Sequence, residues 1–324
     1  MSQESSANPA CPIYEYIKDH TKEGCLPEGF EIPWLKDMWA PGAHDGVALN
    51  HMIPIALTPD TERDQKILEA LKLMASENNG DHVCEVFAIV EELDQKDSIV
   101  RLYDPIVRMI ANHQKELNLH TLLQFGDFLI CKGTSLLAVK LGLNVIAPFN
   151  VPFVEDVAME FGVYDEFTYY AARILSNDCW SDGNAKLFEL ARNVKGWGRI
   201  HAVEWLKPET PEIQDWLLFE GANNTVIPQY SANICLQKAE AEKRLDCFLP
   251  ADEFIAIGKL IHESLVQGPS RGVTNGEQLL SKYIRNAQCF PIDPEIIRII
   301  LEAADEYHLD KDVIETAKQL IVRK

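Results

Sequence analysis

The chain has 324 residues, of which 47% are hydrophobic and 25% are charged, a composition typical of folded globular proteins and not of disordered chains. It carries 50 Asp and Glu residues against 30 Lys and Arg residues, so its formal net charge is -20. A charge of this sign repels nucleic acids and anionic membranes, and we therefore expect neither as a partner. No apolar stretch reaches the roughly 20 residues that a membrane-spanning helix needs. The polar N-terminus lacks the pattern of a secretory signal, so we expect a cytoplasmic location.

The first 60 residues are rich in proline, glycine and aromatic residues, and no helical period of useful length survives there. We predict an irregular N-terminal extension over residues 1–60. From Thr61 onward, apolar residues recur at spacings of three and four, as in Ile67, Leu71 and Met74. This spacing predicts helices, and strands that alternate with helices are missing. The sequence therefore predicts an all-α domain over residues 61–324.

The eight cysteines are scattered through the chain, and none of them forms a Cys-x-x-Cys pair. Such a pattern favours reduced thiols over a disulfide framework or a zinc site. We expect no bound metal.

A four-residue helical pattern recurs about every 30 residues in the middle of the chain. Each copy has two apolar or small residues, one polar residue and one apolar residue. The polar members are Arg108, Lys140, Arg173, Glu204 and Asn233. Another apolar helical run lies between consecutive copies, so each unit is a helical hairpin that buries its apolar face by stacking on its neighbours. This repetition predicts an α-α superhelix, or solenoid.

One unit combines a helix over residues 184–193, the turn Val194-Lys-Gly-Trp-Gly198 and a second helix over residues 199–206. It resembles the repeats of HEAT and armadillo proteins, and the resemblance extends over residues 81–239. It implies a helical scaffold that binds other macromolecules along a concave face. The segment Gly196-Trp-Gly-Arg-Ile-His201 is also similar to bacterial sequences that sometimes carry the label limonene hydroxylase.

A hydroxylase needs haem, non-haem iron or a flavin. The sequence has neither the cysteine loop of haem-thiolate enzymes nor a recognisable set of two histidines and one carboxylate. The glycines at 196 and 198 lie between two helical patterns, which favours a turn over a nucleotide-binding loop. We expect no cofactor and assign no catalytic residue.

Polar residues of successive repeats align when the repeats stack. Arg108, Lys140 and Arg173 would then form a basic row, and an amide stands one helical turn later in most units. Amides can hold an extended peptide, while basic side chains favour acidic or phosphorylated segments. The alternative is that these side chains lie on a solvated outer face or stabilise turns. The proposed contact residues are Arg108, Lys140, Asn144, Arg173, Asn177 and Asn233.

A second patch contains Trp197, Arg199 and His201, within a wider aromatic cluster over residues 169–230. Aromatic residues at helical spacing usually fill space between helices, although such a cluster can also build a pocket. We therefore predict a non-catalytic scaffold that binds a protein or peptide segment. The alternative is an enzyme with a pocket in this patch, similar to a helical-repeat DNA glycosylase or to the labelled hydroxylase.

Overall fold

The computed structural model describes residues 11–35, 40–51, 62–77, 80–92, 98–266 and 272–322. Within these ranges the regular elements are helices and no strand occurs, which confirms the predicted all-α class. None of the described helices is long and apolar enough to cross a membrane. All eight cysteines are free.

The chain divides into two compact units, Met1–Trp205 and Leu206–Lys324. The predicted boundary at residue 60 falls in residues 52–61, outside the described residues, so the division at that point stays a prediction. The described part of the predicted irregular extension contains two short helices, α1 and α2.

The first unit contains α1 (Ile13–His20), α2 (Ala43–His51), α3 (Glu62–Glu77), α4 (Gly80–Glu91), α5 (Tyr103–Asn112), α6 (Leu119–Lys132), α7 (Leu136–Ile146), α8 (Pro152–Gly162), α9 (Asp165–Leu175), α10 (Gly183–Asn193) and α11 (Gly196–Trp205). Local sequence explains several of the boundaries. The side chain of Asn118 accepts a hydrogen bond from the backbone N–H of Thr121 and caps α6, and Pro152 occupies the first turn of α8.

Helices of the first unit pack as consecutive pairs. The pairs are α3 with α4, α6 with α7, α8 with α9, and α10 with α11. The second helices of these pairs also contact one another in order, α7 with α9 and α9 with α11, and α5 contacts α7. Every residue of α7 is buried, so any polar side chain on that helix must find its partners inside the protein.

The second unit contains α12 (Pro211–Trp216), a π-helical turn (Leu217–Gly221), α13 (Ala232–Lys238), α14 (Ala241–Arg244), α15 (Ala251–Leu265), α16 (Gly276–Asn286), α17 (Pro294–Glu302) and α18 (Lys311–Val322). Its core includes a stack of three rings. Phe254 of α15 lies parallel to Tyr283 and to Phe290, with ring centroids 4.5 Å apart in both pairs. α15 also contacts α13, α17 and the π-helical turn.

Candidate binding surfaces

Lys140 lies at the centre of a buried polar cluster between α2, α7 and α9. Its Nζ is 2.7 Å from Oδ2 of Asp45 and 2.6 Å from Oε2 of Glu166. Tyr170 donates a 3.2 Å hydrogen bond to Oδ2 of Asp45, and Ser98 donates a 2.7 Å bond to Oδ1. These five residues are called the Lys140 cluster below, and in it Lys140, Tyr170 and Ser98 donate to the carboxylate of Asp45 from three separate parts of the chain.

The charges of the Lys140 cluster depend on one another. Lys140, Asp45 and Glu166 are each at most 2% exposed. Burial by itself lowers the pKa of the Lys140 ammonium, but the two neighbouring carboxylates outweigh burial and raise this pKa above its ordinary value. Lys140 is therefore cationic at neutral pH, and its removal would leave two carboxylates close together and out of water.

α2 packs against Trp197 of α11 through Gly46 and through Gly42, the residue before the helix. A Cβ atom at Gly46 would lie 2.1 Å from Cε3 of the Trp197 ring, and one at Gly42 would lie 2.9 Å from Cβ of Trp197. Gly42 also has a positive φ of 75°, which favours glycine. The backbone of α2 can rest against Trp197 only because side chains are missing at both positions.

Arg173 occupies an aromatic box next to this cluster. Its guanidinium carbon lies 3.9 Å from the ring centroid of Tyr103 and 4.5 Å from that of Trp205. The guanidinium also donates to Oδ1 of Asp104 at 2.5 Å and to the hydroxyl of Tyr169 at 3.2 Å. The cation of Arg173 thus fills the space between the rings and is neutralised within the chain.

Two predicted contact residues are buried without a hydrogen bond. Asn144 and His201 are both 0% exposed, and neither the amide of Asn144 nor either ring nitrogen of His201 has a hydrogen-bond partner among the described residues. Oε2 of Glu204 lies 3.9 Å from Nδ1 of His201. An unpaired buried polar group costs about 1–3 kcal/mol.

The other predicted residues are dispersed. Trp197 is buried against α2, and Arg199 is buried with its Nε donating to the carbonyl of Val194 at 2.9 Å. Arg108 and Asn177 are exposed. Asn233, in the second unit, exchanges hydrogen bonds with Thr274.

The three residues of the proposed basic row therefore lie in different environments. Lys140 and Arg173 are paired within the chain, whereas Arg108 faces solvent.

The sequence prediction did not assign Asp45, Glu166 or Ser98 to a site. Asp45 lies in the segment that was predicted to be irregular, and nothing in the repeat pattern connects it with Lys140. The signals that could have indicated a site were the two glycines around Asp45 and the spacing of four between Glu166 and Tyr170 on one helix face.

The N-terminus of α11 is capped by Asp165, the first residue of α9. Burial raises the pKa of the Asp165 carboxyl to about 7, and the backbone N–H groups of Gly198 and Trp197 offset only part of that effect. We therefore expect the Asp165 carboxyl to titrate near neutral pH.

An open groove of about 680 Å³ lies on the second unit. Its apolar wall is formed by the π-helical turn and one face of α15, with Phe219 43% and Ile255 38% exposed. Charged side chains of Asp252, Lys259 and Glu263 also line it. This volume lies within the range of ligand sites, about 300–1,000 Å³, and π-helical turns frequently occur at functional sites. We call this feature the unit 2 groove.

No family model, curated protein or solved structure matches the chain. The resemblance to HEAT and armadillo repeats, and to sequences labelled as hydroxylases, therefore remains a prediction from the residues that carry it. The structure supports the coarser statement that the described part of the chain is all-helical, with many packed helices.

Proposed function

We propose that the protein is a non-catalytic helical scaffold that recognises a segment of another protein. The observation that carries this proposal is the unit 2 groove, an open apolar surface that exposes Phe219 and Ile255. Large apolar side chains next to each other on a surface often mark interaction sites. The paired helices of the first unit support an α-solenoid architecture, which suits a scaffold.

The groove indicates the chemistry of its partner. Leu218, Phe219, Ile255 and Leu260 provide an apolar surface for side chains that recur every three or four residues on a helix. Two carboxylates and one ammonium line the groove, and the chain as a whole carries a net charge of -20. We therefore infer an amphipathic helical segment with leucine-like residues on one face and basic residues beside them. An acidic or phosphorylated segment fits this groove less well.

A direct test measures the fluorescence anisotropy of a labelled 14-residue peptide, a length of about four helical turns. The peptide contains leucine and lysine, with the leucines spaced three and four residues apart. We expect it to bind the full chain, and we expect Phe219→Ser to weaken binding at least about tenfold because central aromatic residues dominate binding energy. A peptide with glutamate in place of lysine should bind more weakly.

Phe248→Ser is the matched control, since Phe248 is fully exposed in the same unit and does not line the groove. It should leave binding unchanged. Equal binding by the wild type, Phe219→Ser and Ile255→Ser proteins would contradict the proposal, as would no preference for the lysine peptide.

A further inference from the structure

The Lys140 cluster contains a pocket for a carboxylate. Three donors from different elements converge on it: Nζ of Lys140, the hydroxyl of Tyr170 and the hydroxyl of Ser98. The group they hold is the side chain of Asp45, which α2 supplies. Glu166 also pairs with this cation at 2.6 Å, so the pocket favours an acidic group through a shared ammonium and two hydroxyl donors, and charge-assisted hydrogen bonds are stronger than neutral ones.

The described contacts of α2 include this carboxylate and the close approach of Gly46 to the ring of Trp197. Among the residues of this helix whose burial is described (those before His51), Ala43, Asp45 and Gly46 are buried, whereas Val47 and Leu49 are partly exposed. Gly46 in its middle also weakens the helix itself. α2 therefore contributes little apolar burial, and its attachment rests on a polar anchor that another acidic segment could replace.

Two buried side chains of the first unit make no hydrogen bond with the described residues. Asn144 lies one helical turn beyond Lys140 on the same face of α7, and both atoms of its amide lack a partner among the described residues. The ring of His201, packed edge-on against Tyr169 with centroids 5.4 Å apart, lacks one as well. A segment with more polar side chains than α2 could satisfy these groups.

We propose that the pocket formed by Lys140, Tyr170 and Ser98 is a binding site for an acidic helical segment of another protein, and that α2 is its displaceable occupant. This site is separate from the unit 2 groove and takes a segment of opposite charge. When a partner binds, its carboxylate replaces that of Asp45 and its backbone replaces α2 against Trp197. The tethered α2 competes with the partner at a high effective concentration.

The test uses the full chain and a labelled peptide of residues 40–51, acetylated and amidated at its ends. Gly46→Ala should displace α2, because the added methyl group would collide with the ring of Trp197. It leaves Asp45, Lys140 and Tyr170 unchanged. Asp45→Lys should displace α2 by a second route, since it places a cation next to Lys140.

We expect the amides of α2 to exchange with solvent faster in both variants than in the wild type. The peptide, which retains glycine at position 46, should bind each variant at least tenfold more tightly than the wild type. A peptide with asparagine in place of Asp45 should lose that binding. The control Gly142→Ala disturbs the packing of α7 on Leu129 and Ile130 without touching α2. It should lower thermal stability but not create a peptide site.

Four results would overturn the proposal. If α2 amides exchange as slowly in both variants as in the wild type, or if both variants unfold the first unit, α2 is an integral part of the core. If α2 is released and the peptide does not bind, there is no site to occupy. Equal binding of the aspartate and asparagine peptides would show that the donors do not select a carboxylate. None of these results depends on the unit 2 groove, which the Phe219→Ser experiment tests independently.

Discussion

The carboxylate of Asp45 lies 2.7 Å from Nζ of Lys140, and both residues are 1% exposed. Asp45 belongs to a short helix near the N-terminus, and Lys140 to a helix that is buried on every side. Oε2 of Glu166 is 2.6 Å from the same nitrogen, so two carboxylates share one cation. The hydroxyls of Tyr170 and Ser98 stabilise the remaining negative charge by donating to Asp45.

Lys140→Met should strongly destabilise the first unit. The substitution leaves Asp45 and Glu166 buried without their cation, and breaking a buried ion pair in this way costs about 3–5 kcal/mol. Urea unfolding monitored by hydrogen exchange in α7 measures the effect. Arg108→Met, at an exposed position of the same predicted row, is the control and should change stability by no more than about 0.5 kcal/mol. Equal effects of the two substitutions would show that the cluster does not support the fold.

Asp165→Asn should stabilise the protein at pH 8 by on the order of 2 kcal/mol. The folded-state pKa of Asp165 is raised to about 7 from an ordinary value of 3.8. Between about pH 4 and pH 7 the folded state holds a proton that the unfolded state has released, so this group makes wild-type stability fall as pH rises. Chemical denaturation at pH 4 and pH 8 measures the free energy of unfolding of both proteins. We expect the variant to exceed the wild type in this free energy only at pH 8. A variant that is equally stabilised at both values would exclude this titration as the cause.

Arg173→Lys should destabilise the first unit by about 1–2 kcal/mol although it keeps the positive charge. The ammonium of lysine cannot stack flat on the rings of Tyr103 and Trp205. It also cannot reproduce the paired hydrogen bonds of the guanidinium to Asp104 and Tyr169. Chemical denaturation of both proteins measures the difference. Arg192→Lys is the control, because Arg192 is exposed and lies near a single ring, that of Phe188. If both substitutions lower the free energy of unfolding by comparable amounts, the aromatic box around Arg173 has no special stabilising role.

Phe254→Ala should cost the second unit about 3–5 kcal/mol, because it removes the central ring of a buried stack. Phe248→Ala removes a ring that is fully exposed and should be nearly neutral. Hydrogen exchange in α15 and α16 distinguishes the two variants. If the amides of α16 keep their wild-type protection in Phe254→Ala, the stack is not a stabilising part of this unit.

The sequence was sufficient to predict the helical character of the described chain after residue 61, whereas α1 and α2 lie in the segment that was predicted to be irregular. Apolar residues at spacings of three and four, such as Ile67, Leu71 and Met74, are buried on one side of α3. This spacing depends only on local helix geometry, so it can be recognised without knowledge of the tertiary structure.

The environment of the polar residues could not be predicted in the same way. Lys140 and Arg173 occupy equivalent positions in the repeat pattern, but Lys140 is buried against Asp45, while Arg173 lies between aromatic rings and Asp104. The difference comes from segments distant in sequence, α2 and α5, which no repeat pattern specifies. The unit 2 groove was missed because Phe219 and Ile255 follow an ordinary helical spacing, and only the tertiary arrangement leaves them exposed.

We propose above all that the unit 2 groove binds a segment of another protein. The most direct test is hydrogen exchange mass spectrometry of the wild-type chain, with and without the peptide of leucine and lysine. We predict slower exchange in the π-helical turn Leu217–Gly221 and along α15 when the peptide is present, with no change in α18. Protection that is absent from these two elements, or spread evenly over the chain, would contradict the claim.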